Sequence, residues 1–119
     1  MGWLDPLKSI ELVEGSVLAD LDGLVIESVS HNPSFDPQAF AVGITSATRE
    51  ISALAGDLGD RLHRYMIIMD HHELVIICFG SYMLGTSLKR GRGRSDIRRE
   101  LLRLASQISE ELQGVKGGH

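Results

Sequence analysis

Between Asp36 and Gly59 the chain reads DPQAFAVGITSATREISALAGDLG, and this stretch limits the possible folds more than any other. Asp36 is suited to cap a helix, because its side chain can accept a hydrogen bond from a free first-turn N–H. Pro37 fits the first helical position, where its missing N–H costs nothing. Gly56 and Gly59 mark the stop, since glycine takes the left-handed C-cap conformation without a Cβ penalty. The spacing therefore predicts one helix of about six turns. Phe40, Ile44, Ala47, Ile51, Leu54 and Leu58 alternate spacings of four and three, forming an apolar seam. Beside it, Ala41, Thr45, Thr48, Ser52, Ala55 and Gly59 repeat that rhythm with small side chains. The seam needs a core to cover. The small ridge would let a second backbone come close.

The rest of the chain supplies the elements such a helix would cover. Asp5 to Val13 is expected to be a short helix, with Asp5 as cap, Pro6 next and Gly15 as its end. Two β-rich runs, Ser16–Asp20 and Leu24–Val29, flank Asp22-Gly23, a strong hairpin signal. The segment SHNPSFDP is a loop by composition. After the long helix, Arg61–Met69 and the ELVIICF run read as strands meeting at Asp70-His71-His72, and YMLGTSL as a fifth strand. MIIM and LVIICF are apolar at consecutive positions, which a strand shows when both its faces are covered. A last helix, capped by Ser95 or Asp96, carries Ile97, Leu101, Leu104, Ile108 and Leu112 on one stripe. Short connections favour antiparallel pairing. The expected architecture is an α+β sandwich of three layers, with the long helix on one face of a five-stranded antiparallel sheet and the terminal helices on the other.

Composition bounds the function classes. A chain of 119 residues, 43% apolar and 24% charged, suits one soluble domain, expected over residues 1–113 with a disordered tail at 114–119. At 13.0 kDa it can bury roughly two-thirds of its unfolded surface. A net charge of −4 argues against nucleic-acid binding. The lone Cys78 excludes an internal disulfide and fits a reducing, cytoplasmic setting. MGWLDPLK lacks a signal-peptide layout, and the longest apolar run, LVIICF, is far short of a membrane span. No membrane insertion is expected.

Several motifs suggest chemistry and then fail a second requirement. ADLDGLV offers Asp20 as a phosphotransferase nucleophile and Asp22 as acid/base, with Asp57, Asp60 and Lys89 as further candidates. The first motif of haloacid-dehalogenase-like enzymes needs threonine or valine where Leu24 stands, and the chain is too short for their parallel core. Asp20, Asp22 and Gly23 also begin like a calcium loop, but the required glutamate is His31. Asp70, His71, His72 and Glu73 form a candidate metal cluster, awkward because adjacent strand residues point to opposite faces. His63 reads as a packing residue and Cys78 as an inert core thiol. No phosphate loop is present. The expectation is no catalytic residue, no cofactor, no metal and no small-molecule substrate. Lys89, Arg90, Arg92 and Arg94, followed by Arg98 and Arg99, form the strongest charge feature, either a solvated loop or a patch steering an acidic partner.

In order and local pattern, GSVLADLDGLVIESV, DPQAF opening a long helix, paired strands and YMLGTSL resemble the roadblock/dynein light chain family over about Glu14 to Leu112. The resemblance implies a profilin-like sandwich that dimerises, with sheets joined edge to edge and long helices paired across the interface. It implies a regulatory or scaffold subunit rather than an enzyme. Its bacterial and archaeal members partner small Ras-like GTPases, one of them as a GTPase-activating subunit in gliding motility. A structural adaptor without a GTPase, as in dynein-type assemblies, is the second implication. In the strand order that the resemblance implies, Arg61–Met69 lies at an edge, and its proline-free apolar middle supports the dimer, since a second copy could cover it. Ala41, Thr45, Thr48, Ser52, Ala55, Tyr65, Ile67 and Met69 are therefore the expected homodimer interface. Gln38, Val42, Arg49, Glu50 and Ala53, with Arg90, Arg92 and Arg94, are the expected partner-binding residues.

Overall fold

A computed structural model describes residues 2–91 and 94–114. A 3-10 helix at Asp5–Ser9 is followed by strands β1 (Val13–Asp20) and β2 (Val25–Ser30) and then helix α1 (Pro37–Asp57). Strands β3 (Arg64–Ile68), β4 (His72–Phe79) and β5 (Tyr82–Lys89) come next, and helix α2 (Arg94–Ser109) ends in a π-helical turn at Glu110–Gly114. All five strands form one antiparallel sheet in the order β2-β1-β5-β4-β3. The expected tail at 114–119 falls outside the described residues beyond Gly114. Among the described residues no helix is long and apolar enough to cross a membrane.

Local chemistry explains most boundaries. Asp36 accepts hydrogen bonds from the N–H groups of Gln38 and Ala39, capping α1 as its sequence suggested. At the other end Gly59 has φ 70°, its N–H donates to Gly56 O, and the N–H of Asp60 reaches back to Ala55 O. That is the Schellman closure that glycine permits. Asp36→Ala should cost ~1 kcal/mol in chemical denaturation, whereas Asp36→Asn should be close to neutral. Equal losses in the two variants would mean that the side-chain cap contributes nothing.

The β1–β2 turn uses Asp20 twice. Its Oδ1 accepts from the N–H groups of Asp22 and Leu24 at 2.9 and 3.0 Å, and Gly23 takes φ 92°. The first segment differs from expectation. It makes only a 3-10 turn, without a side-chain cap, and Val13 and Gly15 belong to β1. Asp5 instead accepts from Gly2 N–H and pairs with Lys8, whose hydrogen bond holds its carboxyl below the usual range. The segment is tied down from elsewhere. The Glu27 carboxylate accepts from the N–H groups of both Trp3 and Leu4, and Trp3 Nε1 donates to Glu111. Both ring nitrogens of His31 lie 2.7 Å from backbone oxygens, those of Val13 and Lys8.

Buried apolar residues fall into two clusters. One joins Leu4 and Leu7 to Leu18, Val75, Ile77, Leu84 and Leu88 of the sheet and to Ile97, Leu101, Leu104 and Ile108 of α2. The other joins Ala41 and Ile44 of α1 to Val17, Ala19, Ile76 and Met83. Adjacent strand residues such as Val17 and Leu18, or Ile76 and Ile77, divide between the two, as the period of two requires. Among the described residues no buried side-chain nitrogen or oxygen lacks a hydrogen-bond partner. Ser16 and Thr86, for example, bond each other at 2.8 Å across β1 and β5.

Candidate protein-binding surfaces

Helix α1 turns a different side inward from the one its sequence suggested. Its buried residues are Ala41, Ile44, Thr45 and Thr48. Three of these, Ala41, Thr45 and Thr48, belong to the small ridge assigned to a dimer seam. They pack on the chain's own sheet and are not available to a second copy. Ile44 fits beside them because Gly85 of β5 has no side chain: a Cβ there would stand 2.3 Å from Ile44 Cδ1. The threonine hydroxyls are also accommodated, Thr45 donating to Ala41 O and Thr48 lying 2.7 Å from the Tyr65 hydroxyl. The ridge's distal members differ. Ser52 is exposed and Ala55 half-buried.

Of the apolar seam, Ile44 is buried and Phe40 packs against the same cluster, and its C-terminal end is what α1 leaves open. Leu54 is 59% and Leu58 75% exposed, with Ala47 and Ile51 half-buried between them and the core. At 100° per residue these four lie on one flank of the buried face, while Arg49, on the opposite flank, pairs with Asp22 in the β1–β2 turn. Length explains why burial fades. A helix of 21 residues is ~31 Å long against ~26 Å for a strand of eight, so a helix running along the strands is longer than the sheet beneath it.

Strand β3 is an edge, paired with β4 on one side only. Its residues alternate. Tyr65 and Ile67 are half-buried on the α1 side, opposite Ile76 and Leu74. Tyr65 is also engaged within the chain, through Thr48 and Ile44 O, and burial pushes its phenol up from the ordinary value. Met69 lies just past the strand, where its N–H donates to His72 O and its carbonyl accepts from Arg90 Nη1 at 2.8 Å.

Of the residues expected to bind a partner, Gln38, Val42, Arg49, Glu50 and Ala53 are all exposed along α1. Arg90 is exposed but braces the β3–β4 turn through Met69 O. Arg92 lies outside the described residues, as does the side chain of Arg94, the first residue of α2.

The motifs that hinted at chemistry have other occupations. Asp20 holds its own turn, and Asp57 and Asp60 flank the C-terminal cap of α1. His72 Nε2 lies 2.9 Å from Glu14, while Glu73, completely buried, faces Arg98 Nη1 at 2.5 Å. Among the described residues no three His, Cys, Asp or Glu side chains converge to hold a metal ion. His63 is exposed rather than packed, and its carbonyl accepts from Cys78 N–H. Burial pushes the half-buried Cys78 thiol up. The Glu73–Arg98 pair escaped the sequence reading, because nothing local links residues 25 positions apart.

A five-stranded sheet in this order, with a long helix between its second and third strands, is the arrangement of the roadblock class. The chain belongs to the Roadblock/LC7 domain family, whose model matches residues 3–86. No curated protein matches the chain significantly. Among solved structures, Myxococcus xanthus MglB is similar with a TM-score of 0.84 at 15% identity, covering 94% of this chain and 93% of that one. A Roadblock/LC7 domain from Streptomyces avermitilis gives 0.75 at 19% identity, covering 94% and 97%. The gliding protein MglB of Thermus thermophilus gives 0.74 at 14% identity, covering 82% and 76%.

Proposed function

We propose that the protein is a non-catalytic, homodimeric regulator or scaffold that binds a small Ras-like GTPase. The observation that carries this reading is the juxtaposition of two unsatisfied features. An apolar flank at Leu54 and Leu58 is left open on α1, and β3 is an uncovered edge strand. Each is a liability in water and becomes an asset when a second copy covers it. Similarity to proteins named MglB, one of them described with a tetrameric arrangement, supports assembly and a regulatory setting. The non-catalytic part is supported by the occupations of Asp20, His72 and Glu73, which are structural. The dimer's paired α1 helices would present Gln38, Val42, Arg49, Glu50 and Ala53 to the partner.

Changing Leu54 and Leu58 together to glutamate should convert a dimer to a monomer in light scattering while the subunit stays folded. Both side chains are mostly exposed in the single subunit, so its own core loses little. A wild-type protein that already scatters as a monomer at micromolar concentration would remove the dimer from the reading. The partner is tested by retention of a Ras-like GTPase encoded nearby, loaded with a GTP analogue or with GDP. Retention that depends on the nucleotide is expected. Retention indifferent to it would favour the structural adaptor instead.

A further inference from the structure

The sheet face that carries α2 is unevenly covered. The 3-10 helix contacts β1 and β2, and α2 contacts β4. Each strand adds ~4.8 Å of width and a helix covers ~10 Å, so these two elements leave β3 bare. By register, Arg64, Met66 and Ile68 stand opposite Ile77, Val75 and Glu73 and share this face. Met66 is 49% and Ile68 54% exposed, and Leu102 of α2 is 38% exposed. Between β3 and α2 runs a groove of about 410 Å³, lined by Arg64, Tyr65, Met66, Val75, Arg98 and Leu102. It lies on the opposite face of the sheet from α1, beside the β3 edge assigned above to a second copy, since edge-to-edge pairing leaves this face of the strand open.

The groove is lined by apolar side chains together with Arg64 and Arg98. Arg64 stands at one end of β3. At the Ile68 end, about 13 Å along the strand, Arg90 is fixed by its bond to Met69 O. The charge of Arg98 is balanced by Glu73, and among the described residues lining the groove there is no carboxylate. This is a positive, apolar site on a chain whose net charge is −4. Arg64 in the lining, with Arg90 beyond it at the β3–β4 turn, complements an acidic segment that also carries apolar side chains. Methionine suits such a lining, since its flexible thioether can adapt to the side chain it receives. A second copy is a poorer occupant. A two-fold contact through this groove would set the same arginines against each other.

We propose that the groove between β3 and α2 docks an acidic amphipathic segment of a protein partner, seated on Met66, Val75 and Leu102 and drawn by Arg64 and Arg90. A suitable probe is a short fluorescent peptide alternating leucine and glutamate pairs, compared with the same peptide carrying lysine for glutamate. Fluorescence anisotropy should rise with the glutamate peptide alone, and amide NMR shifts should concentrate at Met66, Ile68 and Leu102. Arg64→Glu should weaken binding about tenfold. Arg64→Gln should weaken it less, and both variants should keep the wild-type circular dichroism. Equal binding of the lysine peptide, shifts confined to α1, or no binding would overturn the proposal. So would binding to phosphatidylserine vesicles without binding to the peptide, which would make the site a lipid contact.

Discussion

Replacing Arg98 with methionine should cost ~3–5 kcal/mol of stability, far more than loss of an ordinary surface ion pair. The reason lies with its partner. Glu73 has no exposed surface, and it sits on the α2 side of β4 among apolar neighbours. A carboxylate in that position has lost its water, and the Arg98 guanidinium at 2.5 Å offsets much of that loss. Taking away the cation removes this short contact from a carboxylate that has no exposed surface. The double variant Glu73→Leu/Arg98→Met should recover most of the loss, since apolar residues of similar volume can replace a buried pair at little cost. Urea denaturation of the wild type, both singles and the double closes the cycle. An Arg98 variant within ~1 kcal/mol of wild type would show that solvent screens the pair, as Arg98's partial exposure would then have allowed. A double variant as unstable as that single would move the explanation from charge to packing.

Gly85→Val should be the next most damaging change, at ~1–3 kcal/mol. Gly85 lies in β5, paired with Val17 on one side and Ile76 on the other, directly beneath α1. A Cβ there would meet Ile44 Cδ1 at 2.3 Å and Phe40 Cε2 at 3.4 Å. The first contact is untenable, and Ile44 is itself buried with few places to go. Gly85→Ala brings the same Cβ contact and should destabilise too, and valine's two further methyls add to it. Pairing Gly85→Ala with Ile44→Val removes the colliding methyl and should restore stability beyond the sum of the two single effects. Thermal melts of the four proteins measure that coupling. Strict additivity would mean that Ile44 does not sit in the notch left by Gly85.

These two residues illustrate what a sequence of this kind discloses and what it hides. Local signals are legible. The cap at Asp36, the stop at Gly59, the turn at Asp22-Gly23 and the stripe Ile97–Leu101–Leu104–Ile108 each act over a few neighbouring residues. The meander can be read as well, because consecutive apolar runs with short connections leave few arrangements, while the edge position of its first strand comes from the resemblance to the roadblock family. Which stripe of α1 faces the sheet cannot be read. Period alone places Ala41, Thr45 and Thr48 beside Ile44 and Ile51, and hydropathy then favours the larger residues as the core. One contributor lies far along the chain at Gly85, whose missing side chain leaves a notch for Ile44 and Phe40. Glu73 and Arg98 are hidden in the same way. Each looks like an ordinary charged residue of a strand or a basic loop until the fold brings α2 over β4. The 3-10 helix is obscured for a related reason. Glu27 anchors it through backbone N–H groups, which leave no mark on the side-chain pattern.

The strand order also governs how the chain can assemble itself. The β1–β2 hairpin and the β3–β4–β5 meander each join strands that are neighbours in sequence, so either can begin from local encounters. The β1–β5 seam cannot. Its Ser16–Thr86 hydroxyl pair closes over 70 residues, with α1 inside the loop. Loop length adds little free energy, ~0.6 kcal/mol for each doubling, but distant pairings slow the search for the native state. By sequence separation, the seam in the middle of the sheet is the pairing expected to form last and to set the pace of folding.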